Sequence, residues 1–356
     1  MPMKNICIKV RRELGEITIN TLKHLGLLSD DLKIVDKEGS LLIPLNNKPN
    51  RLELEEISKI TKDYSIEFFD FQFFRKKSKS LLELVEKNLP PHLLASIPKS
   101  IEIVGDLAIV EIPEELKEYR GVIGEAILKL NKNLHTVLAK MAPVSDVYRI
   151  KPLEVIAGKD ETLTTHKEYG CLYKLDLRKV YFSSRLSYEH ERVSSQVKDY
   201  EVIIDMFAGV GPFSILMAKK HQDVKVYAID INPDAILFLT ENILLNKVRG
   251  KVIPILGDSK KIINEFLIKK SDRVIMNFPS KSLEFVETAC KSLKDSGGIL
   301  NFYAFVSELK ELEKLKGELN REVERSGRHL KSFIKTKIVR AVAPYKWQVA
   351  IDAEIN

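Results

Sequence analysis

Cysteine is scarce in this sequence, and a long hydrophobic run is missing. The 356 residues contain three cysteines, which are far apart and form no CxxC pair: Cys7, Cys171 and Cys290. This pattern excludes a disulfide framework and a cysteine zinc site, so we expect no bound metal. No segment approaches the roughly 18 apolar residues of a membrane span, and residues 1–8 lack the apolar stretch of a signal peptide. We therefore expect a cytoplasmic protein with no membrane partner.

The sequence also lacks a strong excess of either charge. Lysine and arginine number 57 against 50 aspartate and glutamate residues, which gives a net charge of +7. A positive charge favours a polyanionic partner through counterion release, and this excess is modest for a nucleic-acid coat protein. The hydrophobic fraction of 44% is typical of a soluble globular protein, and the length suits about two or three domains. The composition therefore permits an RNA partner.

Hydrophobic periodicity predicts a small α+β unit over residues 1–75. We expect a strand over 5–10, a helix over 13–28, two strands around the turn at 37–40, and a strand that carries Phe69, Phe71 and Phe73. Asp70 and Gln72 alternate with these aromatics, which indicates a half-buried strand with the phenylalanines in a core, in preference to a base-stacking surface. The basic run from Arg75 to Ser80 is typical of a linker.

Residues 80–180 predict a second α+β unit, which we interpret as an RNA-binding or connecting domain. The pattern indicates a helix over 81–89, a break at Pro90-Pro91, a helix over 118–130 and several short strands near the end. The alternating segment 101–112 predicts a strand in which Gly105-Asp106 makes a turn or a bulge.

Residues 181–356 predict an α/β domain with a doubly wound, mostly parallel sheet. Apolar strands alternate with helices of about 10 to 15 residues, as βαβ units require. The predicted strands cover 202–206, 225–231, 251–256, 273–277 and 299–306. A charged helix over 307–330 and two β segments, 333–341 and 347–355, follow. Because a short turn joins these two segments, they predict an antiparallel sheet edge.

A glycine-rich turn follows the first of these strands, in the segment Asp205-Met-Phe-Ala-Gly-Val-Gly-Pro-Phe-Ser214. Gly209 and Gly211 allow a ligand to approach the backbone and the amides at a helix N-terminus. Dinucleotide enzymes place a third glycine where this chain has Ser214, so that fingerprint is incomplete.

Acidic residues follow the next two strands. Asp230 lies about 20 residues after the glycines, where a carboxylate can accept hydrogen bonds from ribose hydroxyls, and Asp258 could hold an adenine amino group. Each alone is more typical of a helix cap, but together they occupy successive strand ends on one sheet edge. We therefore predict an adenosine-containing ligand. The predicted contacts are Asp205, Phe207, Ala208, Gly209, Gly211, Asp230, Ile231, Asn232, Asp258, Ser259 and Asn277.

Residues 202–356 resemble the class I S-adenosylmethionine-dependent methyltransferase fold. The segment Asp205 to Gly211, with Asp230 and Asp258, matches its first three motifs, so the resemblance implies S-adenosylmethionine as the cofactor. Asn277-Phe-Pro279 ends the fourth predicted strand, where enzymes that methylate amino groups of planar rings often carry an Asn-Pro-Pro-Tyr-like tetrad. The tripeptide alone is more typical of a turn.

Further segments are similar to the tRNA (guanine-37 N1)-methyltransferases of archaeal and eukaryotic type. With the two motifs above, they are 104–110, Tyr148-Arg149, 165–170, 180–186 and 189–193. The similarity extends over about residues 81–356, and the N-terminal unit resembles an extra domain of many archaeal members. The resemblance implies methyl transfer to ring nitrogen 1 of the guanosine beside the anticodon. It also implies that the partner is tRNA, bound through the anticodon stem-loop and the folded body, with no obligate protein partner evident.

The resemblance assigns roles to five residues. Because ring nitrogen 1 carries a proton, a base must remove it and a cation must stabilise charge on the neighbouring oxygen. Glu189 would be the base and Arg149 the oxygen stabiliser. The other three surround the guanine: Asn277 and Pro279 orient it, and Tyr181 packs near it. Without the resemblance, the residue types alone would suggest simpler roles. Glu189 would interact with the helix dipole, Arg149 would contact a phosphate at the surface, and Tyr181 would be part of the hydrophobic core.

Two departures from the family pattern bear on substrate preference. Phe278 replaces the leucine of the usual Asn-Leu-Pro, and His190 replaces the basic residue that commonly follows the glutamate. His166 and His190 are predicted to be structural or RNA-contacting residues. Two rival functions remain: an aminocarboxypropyl transferase of wyosine biosynthesis with the same cofactor, and a non-catalytic RNA-binding protein. Methylation of a wyosine intermediate is also open.

Overall fold

The computed structural model describes residues 3–73, 80–141, 150, 152–308 and 310–356. The chain forms two compact units, Met1–Lys79 and Ser80–Asn356. No helix within the described ranges is long and apolar enough to cross a bilayer.

The first unit is a four-stranded antiparallel sheet with two helices. Its strands run in the order β2-β3-β1-β4, and Ile8, Leu22, Ile43 and Ile57 are fully buried between sheet and helices. The elements are β1 (Met3–Arg11), α1 (Gly15–His24), β2 (Val35–Lys37), β3 (Ser40–Pro44), α2 (Arg51–Ile60) and β4 (Tyr64–Phe71).

The first unit differs from the sequence prediction in three places. Helix α1 is shorter than 13–28, because a 3-10 turn precedes it and Gly26, with φ of +69°, follows its end. Helix α2 was not predicted, although Asn50 and Glu53 form a capping box at its start. Phe71 is fully buried as expected, whereas Phe73 is 54% exposed because β4 has already ended at Phe71.

The second unit begins with a four-stranded sheet in the order β5-β6-β7-β8, in which only the β6–β7 pair is parallel. Gly105-Asp106 is a tight turn between β5 and β6, not a bulge within one strand, because Val104 pairs with Leu107. A separate hairpin, β9–β10, follows. The elements are α3 (Leu81–Val85), β5 (Ile101–Val104), β6 (Leu107–Val110), α4 (Arg120–Leu130), β7 (Thr136–Lys140), β8 (Leu153–Gly158), β9 (Leu163–Glu168), β10 (Cys171–Asp176) and α5 (Ser187–Ser194).

A seven-stranded sheet completes the second unit and confirms the predicted doubly wound α/β fold. Its order is β13-β12-β11-β14-β15-β17-β16; the first five strands are parallel, and β17 is antiparallel to both of its neighbours. The elements are β11 (Val202–Asp205), α6 (Pro212–Lys220), β12 (Lys225–Asp230), α7 (Pro233–Leu245), β13 (Val252–Leu256), α8 (Ser259–Phe266), β14 (Arg273–Met276), α9 (Val286–Ser292), β15 (Gly298–Val306), α10 (Glu311–Arg325), β16 (Leu330–Ala343) and β17 (Lys346–Ile355).

The helices cover both faces of this sheet. Ile203 lies in a core with α6 and α7, while its neighbour Ile204 lies in a second core with α8, α9 and α10. Alternate residues of one strand therefore enter opposite layers, which is why the strands read as continuous apolar runs. Helix α10 is shorter than the predicted 307–330, and Gly327, with φ of +80°, follows its end.

Helix α7 also holds the β9–β10 hairpin. The buried Asn242 side chain accepts from the amide of Lys174 and donates to its carbonyl, and Asn246 contacts the backbone of Leu172 in the same way. Two amide side chains thus extend the hairpin's backbone hydrogen bonding onto a helix, which fixes the hairpin beside the large sheet.

Candidate active site

The carboxyl end of β11 carries a buried acid. Asp205 is fully buried, and one of its oxygens accepts a 2.8 Å hydrogen bond from the Ser214 hydroxyl. Its other oxygen, Oδ1, has no hydrogen-bond partner among the described residues. Burial raises the pKa of Asp205 to about 7. A carboxyl group with an unsatisfied buried oxygen therefore lies directly before the glycine turn.

The two glycines of that turn are suited to their positions for different structural reasons. Gly211 has φ of +92°, and a Cβ there would lie 2.4 Å from Leu239 Cδ1, so the residue permits close packing of α6 on α7. Gly209 has φ of +53°, and the nearest atom to a Cβ there would be the Tyr181 carbonyl oxygen at 3.9 Å. The bare backbone of Gly209 therefore borders open space beside Tyr181, where a ligand can approach.

Asp230 joins the three strand ends. Its Oδ2 accepts from the Gly209 amide at 2.7 Å, and its Oδ1 accepts from the Asn232 amide at 2.9 Å. Its backbone carbonyl accepts from the Gly257 amide at 3.0 Å. Hydrogen bonds from one residue thus hold the glycine turn after β11 against the ends of β12 and β13.

The remaining predicted cofactor residues occupy the same edge. Asn232 caps α7 and donates to the Lys179 carbonyl. Asp258 caps α8, and its Oδ1 accepts from the amides of Lys260 and Lys261. Ala208 and Ser259 are buried, and Ile231 is 42% exposed.

Phe278, the first departure from the family pattern, belongs to an aromatic cluster. Its ring centroid lies 4.9 Å from that of Phe207 and 6.0 Å from that of Phe285, and these two rings are 5.0 Å apart. The substitution of leucine by phenylalanine therefore adds contacts between the Asn277-Phe-Pro279 segment and the glycine turn.

Glu189 is buried in helix α5, with only 1% of its surface exposed. Its Oε2 accepts from Arg192 Nε at 2.9 Å and from the Tyr303 hydroxyl at 3.1 Å. The Lys337 ammonium lies 2.6 Å from Oε1 and 4.5 Å from the Tyr188 ring centroid. These contacts fix the orientation of the carboxylate. An exposed acid that only interacts with the helix dipole would not need a fixed orientation.

A buried ion pair supports Glu189. Arg192 forms a two-pronged contact with Asp352 on β17, and Asp352 also accepts from Gln196 and Asn301. Burial opposes the charge on both groups. The hydrogen bonds and the opposite charge outweigh burial, so the pKa of Arg192 is raised and that of Asp352 is lowered. Burial and the Glu189 charge raise the pKa of Tyr303, which keeps its hydroxyl protonated.

Two of the predicted base-pocket residues are held by side chains of β16 and β17. Asn277 Oδ1 accepts from Gln348 Nε2 at 3.2 Å, and the Tyr181 hydroxyl accepts from Arg340 Nη2 at 3.1 Å. Pro279 is buried, and its carbonyl accepts from the Phe305 amide. Arg149, the predicted oxygen stabiliser, lies outside the described residues.

Both histidines that were open to two interpretations make hydrogen bonds within the protein. His190 is buried and its Nδ1 lies 2.6 Å from Glu168 Oε1, so it does not contact a phosphate at the surface. His166 Nδ1 accepts from the Gly105 amide at 3.1 Å, and burial lowers the pKa of His166.

Sequence reasoning missed the residues that position this site. Arg192 lies within the segment 189–193, where only Glu189 was assigned a role, and the others lie on strands outside the motifs: Tyr303, Arg340, Gln348 and Asp352. A signal existed for one of them, since Asp352 interrupts an apolar strand and an acid in such a place needs a buried partner. Arg340 and Gln348 follow the ordinary polar alternation of a strand with one wet face, so the pattern does not distinguish them.

Three family models match the chain. The TRM5/TYW2 methyltransferase domain covers residues 164–330, the TYW2 N-terminal domain covers 81–162, and the tRNA methyltransferase 5 N-terminal domain covers 7–53. The matched segments together span the glycine turn, Glu189 and Asn277.

Individual relatives agree with these matches. The tRNA (guanine(37)-N(1))-methyltransferase Trm5b of Pyrococcus abyssi is 38% identical over 99% of both chains, and its crystal structure gives a TM-score of 0.74. The complex of aTrm5 with tRNALeu is 32% identical, covers 99% of this chain and 100% of that one, and gives a TM-score of 0.72.

A third neighbour carries the cofactor. Methanocaldococcus jannaschii TYW2 in complex with AdoMet is 31% identical, covers 72% of this chain and 99% of that one, and gives a TM-score of 0.55. The open backbone at Gly209 and the unsatisfied oxygen of Asp205 fit such a ligand. By its sequence, fold and strand-end geometry, this chain belongs to the TRM5/TYW2 family of S-adenosylmethionine-dependent tRNA-modifying enzymes.

Proposed function

We propose that this protein transfers the methyl group of S-adenosylmethionine to ring nitrogen 1 of guanosine 37 of tRNA. The observation that carries the proposal is the buried carboxylate of Glu189, which Tyr303 and Arg192 hold through the same oxygen. Such an oriented group suits proton removal from a ring N–H, which this substrate requires before its nitrogen can accept a methyl group.

Glu189 accepts the proton from ring nitrogen 1 on Oε1, because Tyr303 and Arg192 both donate to Oε2, whereas the ammonium of Lys337 pairs with Oε1. Lys337 lies beside Oε1 and balances the carboxylate charge until the substrate arrives. The Lys337 ammonium also contacts the exposed ring of Tyr188, which adds a cation–π interaction to its pairing with Glu189.

Four other residues have proposed roles around the guanine. Asn277 and Pro279 orient the guanine, Tyr181 packs near it, and Arg149 stabilises negative charge on its oxygen. The cofactor, when bound, supplies an electrophilic methyl group. The residues that hold it in this proposal are Asp205, Phe207, Ala208, Gly209, Gly211, Asp230, Ile231, Asn232, Asp258, Ser259 and Asn277.

We also propose that tRNA is the partner and that three segments of the chain have separate roles. Residues 181–356 carry catalysis, residues 80–180 contact RNA and connect the units, and residues 1–75 dock on a part of the folded tRNA distant from the anticodon. Shape recognition of this kind is typical of proteins that bind structured RNA. The protein acts without an obligate protein partner, and its location is the cytoplasm, where its tRNA substrate is.

Mass mapping of nucleosides tests the reaction and the site together. Unmodified tRNA is incubated with the protein and S-adenosylmethionine. The product is then digested, and the mass of the nucleoside at each position is measured. One added methyl at guanosine 37 supports the proposal. A gain of one aminocarboxypropyl group identifies the wyosine-pathway reaction instead, and failure to bind the cofactor in calorimetry identifies a non-catalytic RNA-binding protein.

Two variants test the assigned roles in the same assay. We expect Glu189→Gln and Arg149→Ala each to lower the methyl transfer rate by about 100-fold or more, since a base and a charge-stabilising group are typically worth this much. The matched control is Glu191→Gln, because Glu191 lies on the same helix and pairs with Lys220. A parallel reaction on tRNA that carries a wyosine intermediate determines whether that base is a second substrate.

A further inference from the structure

Arg340 is the centre of a hydrogen-bond network that reaches both sides of the proposed base pocket. Its Nε donates to Gln348 Oε1 at 3.0 Å, its Nη1 donates to Ser183 Oγ at 2.8 Å, and its Nη2 donates to the Tyr181 hydroxyl at 3.1 Å. A single guanidinium on β16 thus contacts residues of the adjacent strand β17 and of the segment that precedes α5.

The network has a fixed direction, because a guanidinium only donates hydrogen bonds. The atom of the Gln348 amide that faces Arg340 must therefore be its oxygen. The amide nitrogen of Gln348 then faces the other way and donates to Asn277 Oδ1 at 3.2 Å. Gln348 is 1% exposed, so reversal of its amide would bury an unsatisfied group against a cation.

Donation by Arg340 also fixes the direction of the hydrogen bonds of Tyr181 and Ser183. The Tyr181 oxygen accepts from Arg340, which leaves its proton to point away from the guanidinium. Ser183 accepts from Arg340 and donates to the buried Glu102 at 2.6 Å. Ser183 thereby links Arg340 to β5, so the cation is held from a second sheet.

We propose that Arg340 is a positioning residue for guanine recognition, and that through Gln348 it sets which face of the Asn277 amide is presented to the base. The inference depends on the proposed roles of Asn277 and Tyr181. An oxygen accepts two hydrogen bonds, so Asn277 Oδ1 bonded to Gln348 still accepts one from the exocyclic amino group of the guanine. If the Asn277 amide reversed, it would offer Nδ2 donors on the side where the base also donates.

Four variants separate orientation from simple loss of contact. Arg340→Met removes the donor that orders the network, and Arg340→Lys keeps a donor-only cation with fewer contacts. Gln348→Glu keeps the contact with Arg340 but removes the amide donor, so Asn277 must reverse. Lys331→Met is the matched control, because Lys331 lies on the same strand and pairs with Glu354 outside the network.

The measurement is the single-turnover rate of methyl transfer on unmodified tRNA, with cofactor affinity and thermal denaturation recorded for each variant. We expect Arg340→Met and Gln348→Glu to lower the rate about 10- to 100-fold with unchanged cofactor affinity, because small misplacements of substrate cost this much. Arg340→Lys is expected to recover part of the rate that Arg340→Met loses, and Lys331→Met is expected to react as fast as the unaltered protein.

Asn277→Ala distinguishes failure of the inference from failure of the proposed site. If Asn277→Ala reacts at the unaltered rate, the site assignment itself is wrong. If it is slow while Arg340→Met and Gln348→Glu keep the full rate, only the inference is overturned. An equal loss for Lys331→Met would also overturn it, because the effect would then belong to strand β16 as a whole.

Discussion

The hydroxyl of Tyr303 on β15 lies 3.1 Å from Oε2 of Glu189 on α5, although 114 residues separate the two along the chain. Arg192 binds the same oxygen, and Asp352 on β17 binds Arg192. The proposed base is therefore positioned by the centre of the large sheet and not by its own helix alone. Sites built on strands and helices hold their side chains more precisely than sites built on loops.

We expect Tyr303→Phe to slow methyl transfer by about 10-fold, because it removes one of the hydrogen bonds that orient Glu189, and bonds to charged groups are worth roughly 1.5 to 3 kcal/mol. Tyr173→Phe is the matched control: Tyr173 is equally buried, and its hydroxyl donates to the Pro212 carbonyl at 3.2 Å. Single-turnover rates and urea denaturation of both variants check this. Equal rates for the two variants would contradict the role given to Tyr303.

The stability of the protein should depend on the ionisation of Asp205. Its pKa is about 7 in the folded state against 3.8 for an ordinary aspartate. Between about pH 4 and pH 7 the folded protein therefore holds a proton that the unfolded chain releases. The free energy of unfolding contributed by this group is present in acid and falls as the pH rises through that window.

Asp205→Asn removes this dependence. Relative to the variant, the unaltered protein should lose a few kcal/mol of stability between pH 4 and pH 7 and no more above it. Urea denaturation at several pH values measures the difference. Parallel stability curves for the two proteins would show that Asp205 does not hold a proton in the folded state.

Gly211→Ala should destabilise the protein and weaken cofactor binding. A left-handed backbone costs alanine about 1 to 2 kcal/mol, and its methyl group would also collide with Leu239 and Ile215. Gly250→Ala is the control, since Gly250 has a similar φ of +87° and nothing within 4 Å of a Cβ. We expect Gly211→Ala to lose about 1 to 3 kcal/mol more than Gly250→Ala. Denaturation midpoints and calorimetric titration with S-adenosylmethionine test this, and equal losses would refute it.

Removal of residues 1–79, which form a compact unit of their own, should reduce discrimination between substrates. We expect the remaining protein to methylate an isolated anticodon stem-loop as fast as the whole chain does. Its preference for complete folded tRNA over that stem-loop should fall. The ratio of kcat/KM for the two RNAs measures the preference, and an unchanged ratio would argue against docking by the N-terminal unit.

The sequence predicted the large sheet closely because its strands are buried on both faces. Each of the five parallel strands falls within one or two residues of its expected bounds, since continuous apolar runs end abruptly at polar residues such as Asp205 and Asp230. Helix α2 was missed for the opposite reason. Its apolar residues are few, and only the pair Asn50 and Glu53 indicated its start.

The motif residues could be predicted from the sequence, but the residues that position them could not. Gly209, Asp230 and Asn277 follow strands of one parallel sheet, so their convergence is a consequence of topology. Gln348 meets Asn277 because β17 lies between β15 and β16, an order that no local pattern states. The contacts of Arg192 with Asp352 depend on the same insertion.

The position of β17 also orders events during translation. The ribosome releases Glu189, Asn277 and the glycine turn long before residues 346–355 emerge, and until then Arg192 lacks Asp352 and β15 and β16 have no strand between them. A nascent chain therefore holds every motif of the family without a finished pocket. A chain that ends before this strand lacks Asp352 and leaves β15 and β16 without the neighbour that they share, so backbone groups of β15 that pair in the complete sheet are left unpaired.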